Sequence, residues 1–210
     1  MRQLALFPLN LVVFPGEKLN LHIFEPRYRQ LVRDCLQDGI TFGVPPYLNG
    51  EVSELGTELR LLSVEKSYVS GELDIRTKAV GLFRVEEFFR ELPGKPYAGA
   101  TVLDLPDNAT ADPVLHAQLR ELIEQLYSIL GLRRIFVELA PDFRIYDVAH
   151  QLGMSTEQEY QLLAAPTEVA RQHLALEHLE RILPVLQETE RLKERVRLNG
   201  HFKNLTPPSF

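Results

Sequence analysis

Cysteine is nearly absent from this chain, since Cys35 is the only one among 210 residues. A single cysteine cannot form an internal disulfide bond. No histidine or lysine lies close to it in sequence to lower its pKa, and it falls on the apolar side of a helical pattern. The sequence therefore predicts a buried structural thiol rather than a reactive one.

Long apolar segments are absent as well. No run approaches the roughly 20 apolar residues that are needed to span a bilayer. The first ten residues, MRQLALFPLN, lack the apolar core and the cleavage site of a secretory signal. These two absences predict a cytoplasmic protein with no membrane segment.

Catalytic motifs are also missing. The chain has neither a G-x-x-x-x-G-K-[ST] phosphate loop nor a G-x-S-x-G nucleophile turn. His173 and His178 are separated by five positions, which places them about 140° apart around a helix, whereas a zinc site needs several coincident ligands. The sequence therefore predicts no catalytic residue, no metal ion and no cofactor.

The overall composition is that of a globular protein, with 45% hydrophobic and 25% charged residues. The formal net charge of −6 argues against a dominant nucleic-acid surface, although a local basic patch remains compatible with it.

The first informative segment reads FPLNLVVFPGEKLNLHIFEPRY. Pro8 and Pro15 remove backbone donors, so two short strands with a break at Phe14–Gly16 are expected. From residue 18 to 24 apolar and polar residues alternate, which predicts a half-buried strand. A helical spacing follows from Pro26, with Gly39 as its expected end.

The chain then divides near residue 108. Before it, strands are predicted at residues 40–45, 58–68, 72–76, 79–89 and 97–105, with turns at the intervening Gly, Pro and Asn residues. Strands this short and this closely spaced indicate a barrel. After a polar linker, apolar residues at helical spacing predict helices over 115–129, 143–153, 156–163 and 168–197.

Three details of the helical part are testable in a structure. Thr156 and Glu159 are predicted to form a capping box, and Pro184 is predicted to kink or interrupt the last helix. Two alternatives stay open for the C-terminal tail: Phe202, Leu205 and Phe210 dock on the barrel or on a partner, or the tail frays.

The order FPL, FPG and IFEPRY resembles the start of the Lon protease N-terminal domain family, also called the Lon substrate-binding domain family. The similarity continues through GTELRLLSVEKSYVSGELDIRTKAVGLFRVEEFF and into the charged end of the last helix. Ten residues carry the signature and are expected to be structural: Phe7, Pro8, Phe14, Pro15, Gly16, Phe24, Glu25, Pro26, Arg27 and Tyr28.

The resemblance implies an α+β fold: a PUA-like β-barrel of about six short strands with one or two helices over residues 1–108, then an α-helical bundle over 109–210. Full-length Lon proteases add an ATPase module and a Ser-Lys peptidase module, for which 210 residues leave no room. The resemblance therefore implies a stand-alone, non-catalytic domain.

The function implied by the resemblance is the binding of unfolded or flexible polypeptide segments, linked to proteolysis or protein quality control. Exposed aromatic residues around the junction of the two parts are the expected contacts: Tyr47, Tyr68, Phe88, Phe89 and Tyr97. An RNA-binding role, suggested by the PUA-like fold, and a small-ligand site are the alternatives, and the acidic net charge disfavours the first.

Glu25 and Arg27 allow two interpretations. In the structural one, Glu25 accepts backbone N–H groups at the helix start and Arg27 pairs with a carboxylate across the barrel. In the functional one, both side chains line a ligand groove.

Overall fold

The alternating and helical patterns of the sequence produce a mixed sheet followed by helices. The structure is a computed structural model that describes residues 1–131 and 139–202, with side chains up to residue 197. Its eight described strands are β1 (Arg2–Leu6), β2 (Lys18–Ile23), β3 (Phe42–Val44), β4 (Tyr47–Leu48), β5 (Glu51–Val52), β6 (Leu55–Ser67), β7 (Leu73–Phe89) and β8 (Gly99–Leu105). Its five described α-helices are α1 (Pro26–Asp38), α2 (Pro113–Ile129), α3 (Ile145–Val148), α4 (Thr156–Ala164) and α5 (Glu168–Phe202).

The 17-residue strand β7 organises the sheet. One edge of β7 pairs with β6, while the other edge pairs with β2 in its first half and with β8 in its second half. The pairing order β7-β6-β3-β1-β8 returns to β7, so five strands close into a ring and β2 lies outside that ring. Only β1 and β3 are parallel; the other pairs are antiparallel.

The main core of the barrel forms between the strands and α1. Leu31, Val32 and Cys35 on one face of α1 pack against apolar strand residues that include Leu59 and Ile75. Gly39 ends α1 in the left-handed conformation, with φ 67°, as the sequence predicted.

Three of the ten signature residues are buried: Phe7, Phe14 and Tyr28. Phe7 stacks on Tyr28 with ring centroids 3.8 Å apart. Phe14 stacks on Tyr146 at 5.1 Å. Gly16 takes φ 91°, which a residue with a Cβ adopts at a cost. Four signature residues are exposed: Gly16, Phe24, Pro26 and Arg27.

Two strands predicted at 72–76 and 79–89 are one continuous strand. Both flanking strands hold the intervening residues Thr77 and Lys78: β2 on one side and β6 on the other. The predicted turn at Asn49-Gly50 lies in a two-stranded hairpin, β4–β5, which the sequence pattern was too short to reveal. No described helix is long and apolar enough to cross a membrane.

The capping box of α4 is displaced by one residue from the prediction. Ser155, not Thr156, is the N-cap, and its side chain accepts from the backbone N–H of Gln158. The Gln158 side chain in turn accepts from the backbone N–H of Ser155, at 2.9 Å. Thr156 already has helical geometry and is the first residue of α4.

Pro184 does not interrupt the last helix, since α5 continues through it as one element.

Contacts divide the chain into two compact units: residues 1–109 with 144–167, and residues 110–143 with 168–210. The first boundary falls one residue from the predicted one, but residues 144–167 join the barrel unit. Their side chains contact the barrel, since Tyr146 stacks on Phe14 and the Tyr160 hydroxyl accepts from the Leu55 backbone N–H.

In the second unit, α2 packs against α5 and the two helices bury apolar faces such as Leu119 and Leu179. The predicted role of Phe202, Leu205 and Phe210 in the tail lies outside the side chains that the structure describes.

Candidate functional site

The outer edge of β2 is the first element of a candidate binding site. The Ala79 N–H donates to the Glu17 carbonyl at 2.8 Å, which fixes the phase of the antiparallel ladder between β2 and β7. Because the direction of the bonds alternates along a strand, the N–H and C=O groups of Lys18, Asn20 and His22 point away from β7. No described residue hydrogen-bonds to this edge, so it can accept an added strand.

Three rings lie at the end of β2 and form what we call the aromatic cluster: His22, Phe24 and Tyr68. The ring of Phe24 is 60% exposed and lies 6.3 Å from the ring of His22. The ring of Tyr68 meets the ring of His22 edge-on at 5.7 Å. The cluster therefore presents an apolar ring to solvent directly beside the open edge of β2.

Hydrogen bonds hold the aromatic cluster in place. The His22 ring donates through Nδ1 to Asp74 at 2.7 Å, and the Tyr68 hydroxyl donates to the same carboxylate at 2.8 Å. These two bonds, that of His22 first, lower the pKa of Asp74 below its usual value. The Lys66 ammonium lies 4.3 Å from the centre of the Tyr68 ring. His22 and Tyr68 are thus oriented before any ligand arrives.

The aromatic residues predicted to bind polypeptide do not form one surface. Tyr68 belongs to the aromatic cluster, and Tyr47 lies 45% exposed on β4. Phe88 and Phe89 end β7, whose 17 residues cover roughly 50 Å of contour at about 3.3 Å per residue. Phe88 is exposed and Phe89 is half-buried, and neither belongs to the aromatic cluster that contains Tyr68.

Tyr97 is not a surface residue, and its predicted exposure is wrong. It is 1% exposed, and its hydroxyl donates to the Asp34 carboxylate at 2.5 Å. Burial raises the pKa of Tyr97, as does its bond to Asp34. Burial also acts to raise the pKa of Asp34, but hydrogen bonds from Lys95, Tyr97 and Gln30 outweigh it and lower that pKa. This buried network explains why a polar aromatic residue lies inside the barrel.

The expected roles of Phe24, Glu25 and Arg27 also need correction. Phe24 does not enter the core, because it follows the inward-facing Ile23 and points to the opposite side of the strand. The Glu25 side chain caps no N–H group. The backbone carbonyl of Glu25 accepts the N–H groups of Tyr28 and Arg29 instead. The free carboxylate pairs with Arg27 at 2.8 Å rather than leaving Arg27 to reach across the barrel.

A cavity of about 430 Å³ beside β1 is the alternative site for a small ligand, with Arg2, Lys95 and Tyr97 among its lining residues. Its cations are already neutralised. Arg2 pairs with Asp104 at 2.7 Å and with Glu58 at 2.5 Å, and Lys95 pairs with Asp34 at 2.7 Å. This distribution of charge leaves little to attract an anionic ligand.

A second polar cluster joins the first loop to the helical segment of the same unit. His150 bonds through Nδ1 to Glu159 at 2.8 Å and through Nε2 to Glu17 at 3.2 Å, and its ring lies 4.9 Å from Phe14. The bond to Glu159, then that to Glu17, raises the pKa of His150 to about 10. Protonated His150 therefore links Glu17 to Glu159 through two charged hydrogen bonds. Within residues 1–131 and 139–202, no group of three or more His, Cys, Asp or Glu side chains is arranged to hold a metal ion.

The fold is an α+β domain built on a small barrel that five strands close. The sequence identifies the family. The chain belongs to the ATP-dependent protease La (LON) substrate-binding domain family, whose sequence model matches residues 3–181. The resemblance seen in FPL, FPG and IFEPRY is thereby confirmed, and membership supports a substrate-binding role.

Solved structures agree with this assignment. A crystal structure of a Lon N-terminal domain protein from Xanthomonas campestris is 30% identical; it matches 84% of this chain and 98% of its own, with a TM-score of 0.67. The N-terminal domain of a Mycobacterium avium complex Lon protease matches 85% of this chain and 98% of its own at 12% identity, with a TM-score of 0.65, and shows the fold alone. The predicted α+β class is confirmed. No curated protein matches the chain.

Proposed function

We propose that this chain binds unfolded or flexible segments of other polypeptides, without catalysis of its own, and delivers or holds them for proteolysis or quality control in the cytoplasm. Membership of a substrate-binding family supports the general role. The observation that carries the specific proposal is the exposed Phe24 at the end of an open strand, beside the His22 ring that Tyr68 meets edge-on.

Unfolded polypeptides offer the groups that this surface can use. They expose apolar side chains that a folded protein buries, and their backbone N–H and C=O groups are free to pair with a strand edge. A folded client has already paired most of these groups. The surface therefore discriminates by the conformation of the client as well as by its composition.

The experiment compares two variants in binding a permanently unfolded, reduced and carboxymethylated protein. Phe24→Ala should weaken binding about tenfold, since burying an aromatic ring contributes about 1.5 kcal/mol or more. Phe88→Ala is the matched control: Phe88 is also an exposed phenylalanine of the barrel, but at the far end of β7. Its affinity should stay within about twofold of wild type.

Three results would overturn the proposal. Equal losses for Phe24→Ala and Phe88→Ala would remove the aromatic cluster from the site. Binding of structured RNA at physiological salt, with no binding of unfolded protein, would favour the RNA-binding alternative. ATP hydrolysis or peptide cleavage by the purified chain would refute the non-catalytic part.

A further inference from the structure

Three positive charges lie side by side on the outer face of the barrel, next to the open edge of β2. Lys18 on β2 is the register partner of Lys78 on β7, and Lys78 is the register partner of Arg60 on β6. All three side chains are exposed. We call these residues the cationic row.

The cationic row carries an unfavourable arrangement of charge. Lys18 and Lys78 form a non-hydrogen-bonded pair, the closer kind, in which Cα atoms lie about 4.5 Å apart. Like charges directly opposite each other destabilise a sheet. None of the three cations forms an ion pair with a described residue.

Acidic residues on or next to these strands are engaged elsewhere. Glu17 accepts from the Phe14 backbone N–H at 2.9 Å and lies 3.2 Å from His150. Glu65 pairs with Arg76 at 3.3 Å. The next rows along the sheet therefore contain their own counter-charges, whereas the cationic row has none among the residues the structure describes.

We propose that β2 binds an acidic, extended segment of the client as an added strand, an inference that rests on the proposed function and specifies its substrate class. The backbone of the client pairs with the outward N–H and C=O groups of Lys18, Asn20 and His22. A client residue opposite Lys18 then places its side chain on the same face as the cationic row. Aspartate or glutamate at that position neutralises the three positive charges, while the other end of the segment reaches Phe24.

The strand edge distinguishes a polypeptide from a nucleic acid. It offers backbone donors and acceptors in alternation, and a peptide backbone supplies the complementary alternation. A phosphodiester backbone supplies acceptors and no matching donors.

The test uses three fluorescent peptides of about eight residues with one common sequence. The first carries glutamate at alternate positions, the second carries glutamine there, and the third is the glutamate peptide with alternate backbone amides N-methylated on the pairing side. The glutamate peptide should bind about tenfold more tightly than the glutamine peptide, and the N-methylated peptide should lose about tenfold or more. The affinity of the glutamate peptide should fall as the salt concentration rises.

Variants locate the effect on the protein. Lys78→Gln should weaken the glutamate peptide about threefold and leave the glutamine peptide unchanged, because Lys78 is on β7 and leaves the edge of β2 intact. Arg90→Gln, an exposed cation just beyond the end of β7, is the matched control and should change neither.

Each result has a defined meaning. Equal binding of the glutamate and glutamine peptides, or equal loss in Lys78→Gln and Arg90→Gln, overturns the acidic preference. Full affinity of the N-methylated peptide overturns strand addition, and displacement of the glutamate peptide by single-stranded RNA at lower concentration overturns the choice of client. If the unfolded protein binds and the glutamate peptide does not, this inference fails alone; if neither binds, the proposed function fails with it.

Discussion

Replacing either of two glycines that enclose Phe83 should destabilise the barrel. A Cβ atom added at Gly43 would lie 2.5 Å from Cζ of Phe83 and 2.8 Å from Cδ2 of Leu6. A Cβ added at Gly56 would lie 2.5 Å from the same Cζ and 2.8 Å from the backbone Cα of Pro45. Gly56 and Phe83 are register partners on β6 and β7, so the ring lies directly over the glycine.

The magnitude follows from how far the neighbours can move. Carbon atoms pack at about 3.5 to 4.0 Å, so each new Cβ is roughly 1 Å too close. Phe83 and Leu6 are fully buried, and protein interiors are close-packed, so neither side chain moves aside without cost. Overpacking of this kind costs about 1 to 3 kcal/mol. The cost of Gly43→Ala should lie in the lower half of this range, because the new Cβ meets side chains only. The cost of Gly56→Ala should lie at or above its upper end, because the new Cβ meets the backbone of Pro45.

Urea unfolding, followed through the amide resonances of the barrel unit, measures both effects. The double-mutant cycle with Phe83→Leu separates their causes. In the Phe83→Leu background the shorter side chain relieves Gly43→Ala, whose cost should fall below about 1 kcal/mol. Gly56→Ala should keep more than half of its cost there, since the contact with Pro45 persists.

Gly81→Ala is the control, because an added Cβ at this position of β7 meets no atom within 4 Å. Its effect should stay within about 0.5 kcal/mol. The packing argument would be refuted if Gly43→Ala or Gly56→Ala were as mild as Gly81→Ala. It would also be refuted if both variants cost the same amount with and without Phe83→Leu.

Three further predictions concern titratable and capping groups. Burial raises the pKa of Cys35 to about 12, so iodoacetamide at pH 8 should label the thiol slowly in the native protein and rapidly in urea; rapid native labelling would contradict its burial. The bonds to Glu159 and Glu17 raise the pKa of His150 to about 10, so their stabilisation should be complete below about pH 6.5 and be lost as pH rises towards 10, by about 1 to 2 kcal/mol once screening at this 42% exposed side chain is allowed for. The free energy of unfolding, measured with urea at each pH, should vary less with pH for His150→Gln than for wild type. Parallel pH dependences would contradict a stabilising role of protonated His150. Ser155→Ala removes the N-cap of α4 and should cost about 1 kcal/mol in the same assay, whereas an unchanged midpoint would show that the cap contributes nothing.

Local patterns predicted the elements whose cause is local. The alternation of Leu19, Leu21 and Ile23 predicted β2, and the spacing around Cys35 with Gly39 predicted α1, since each depends on one apolar face. The joining of 72–76 and 79–89 into one strand could not be predicted in this way. It depends on β2 and β6 pairing with β7 from both sides, and strand pairing is set by distant residues.

The helical segment 144–167 shows the same limit at the level of units. Its apolar spacing predicted two helices, where the structure has the short α3, a 3-10 turn at Ala149–Gln151 and α4. That spacing is the same whichever surface the helices cover. What assigns it to the barrel unit is the contact of Tyr146 with Phe14 and of Tyr160 with the Leu55 backbone, more than 100 positions away in each case.

Part of the candidate site could have been predicted from the sequence. Alternation places Phe24 on the side opposite Ile23, so its exposure could have been predicted from the pattern that predicted the strand. The burial of Tyr97 could not, because it depends on a hydrogen bond to Asp34, 63 positions earlier in the chain. The approach of Tyr68 to His22 likewise depends on the hairpin that places Asp74 between them.

The length of β7 accounts for the coexistence of a closed barrel and an open edge. Its second half completes the ring with β8, and its first half extends beyond the ring and carries β2. An open edge exposes a protein to pairing with copies of itself, which charged residues on the edge strand oppose. Lys18 supplies that charge, and pairing between two β2 strands would bring two cationic rows towards each other. The arrangement that opposes self-association is therefore the one that favours an acidic client, so both properties should weaken together when the cationic row is neutralised.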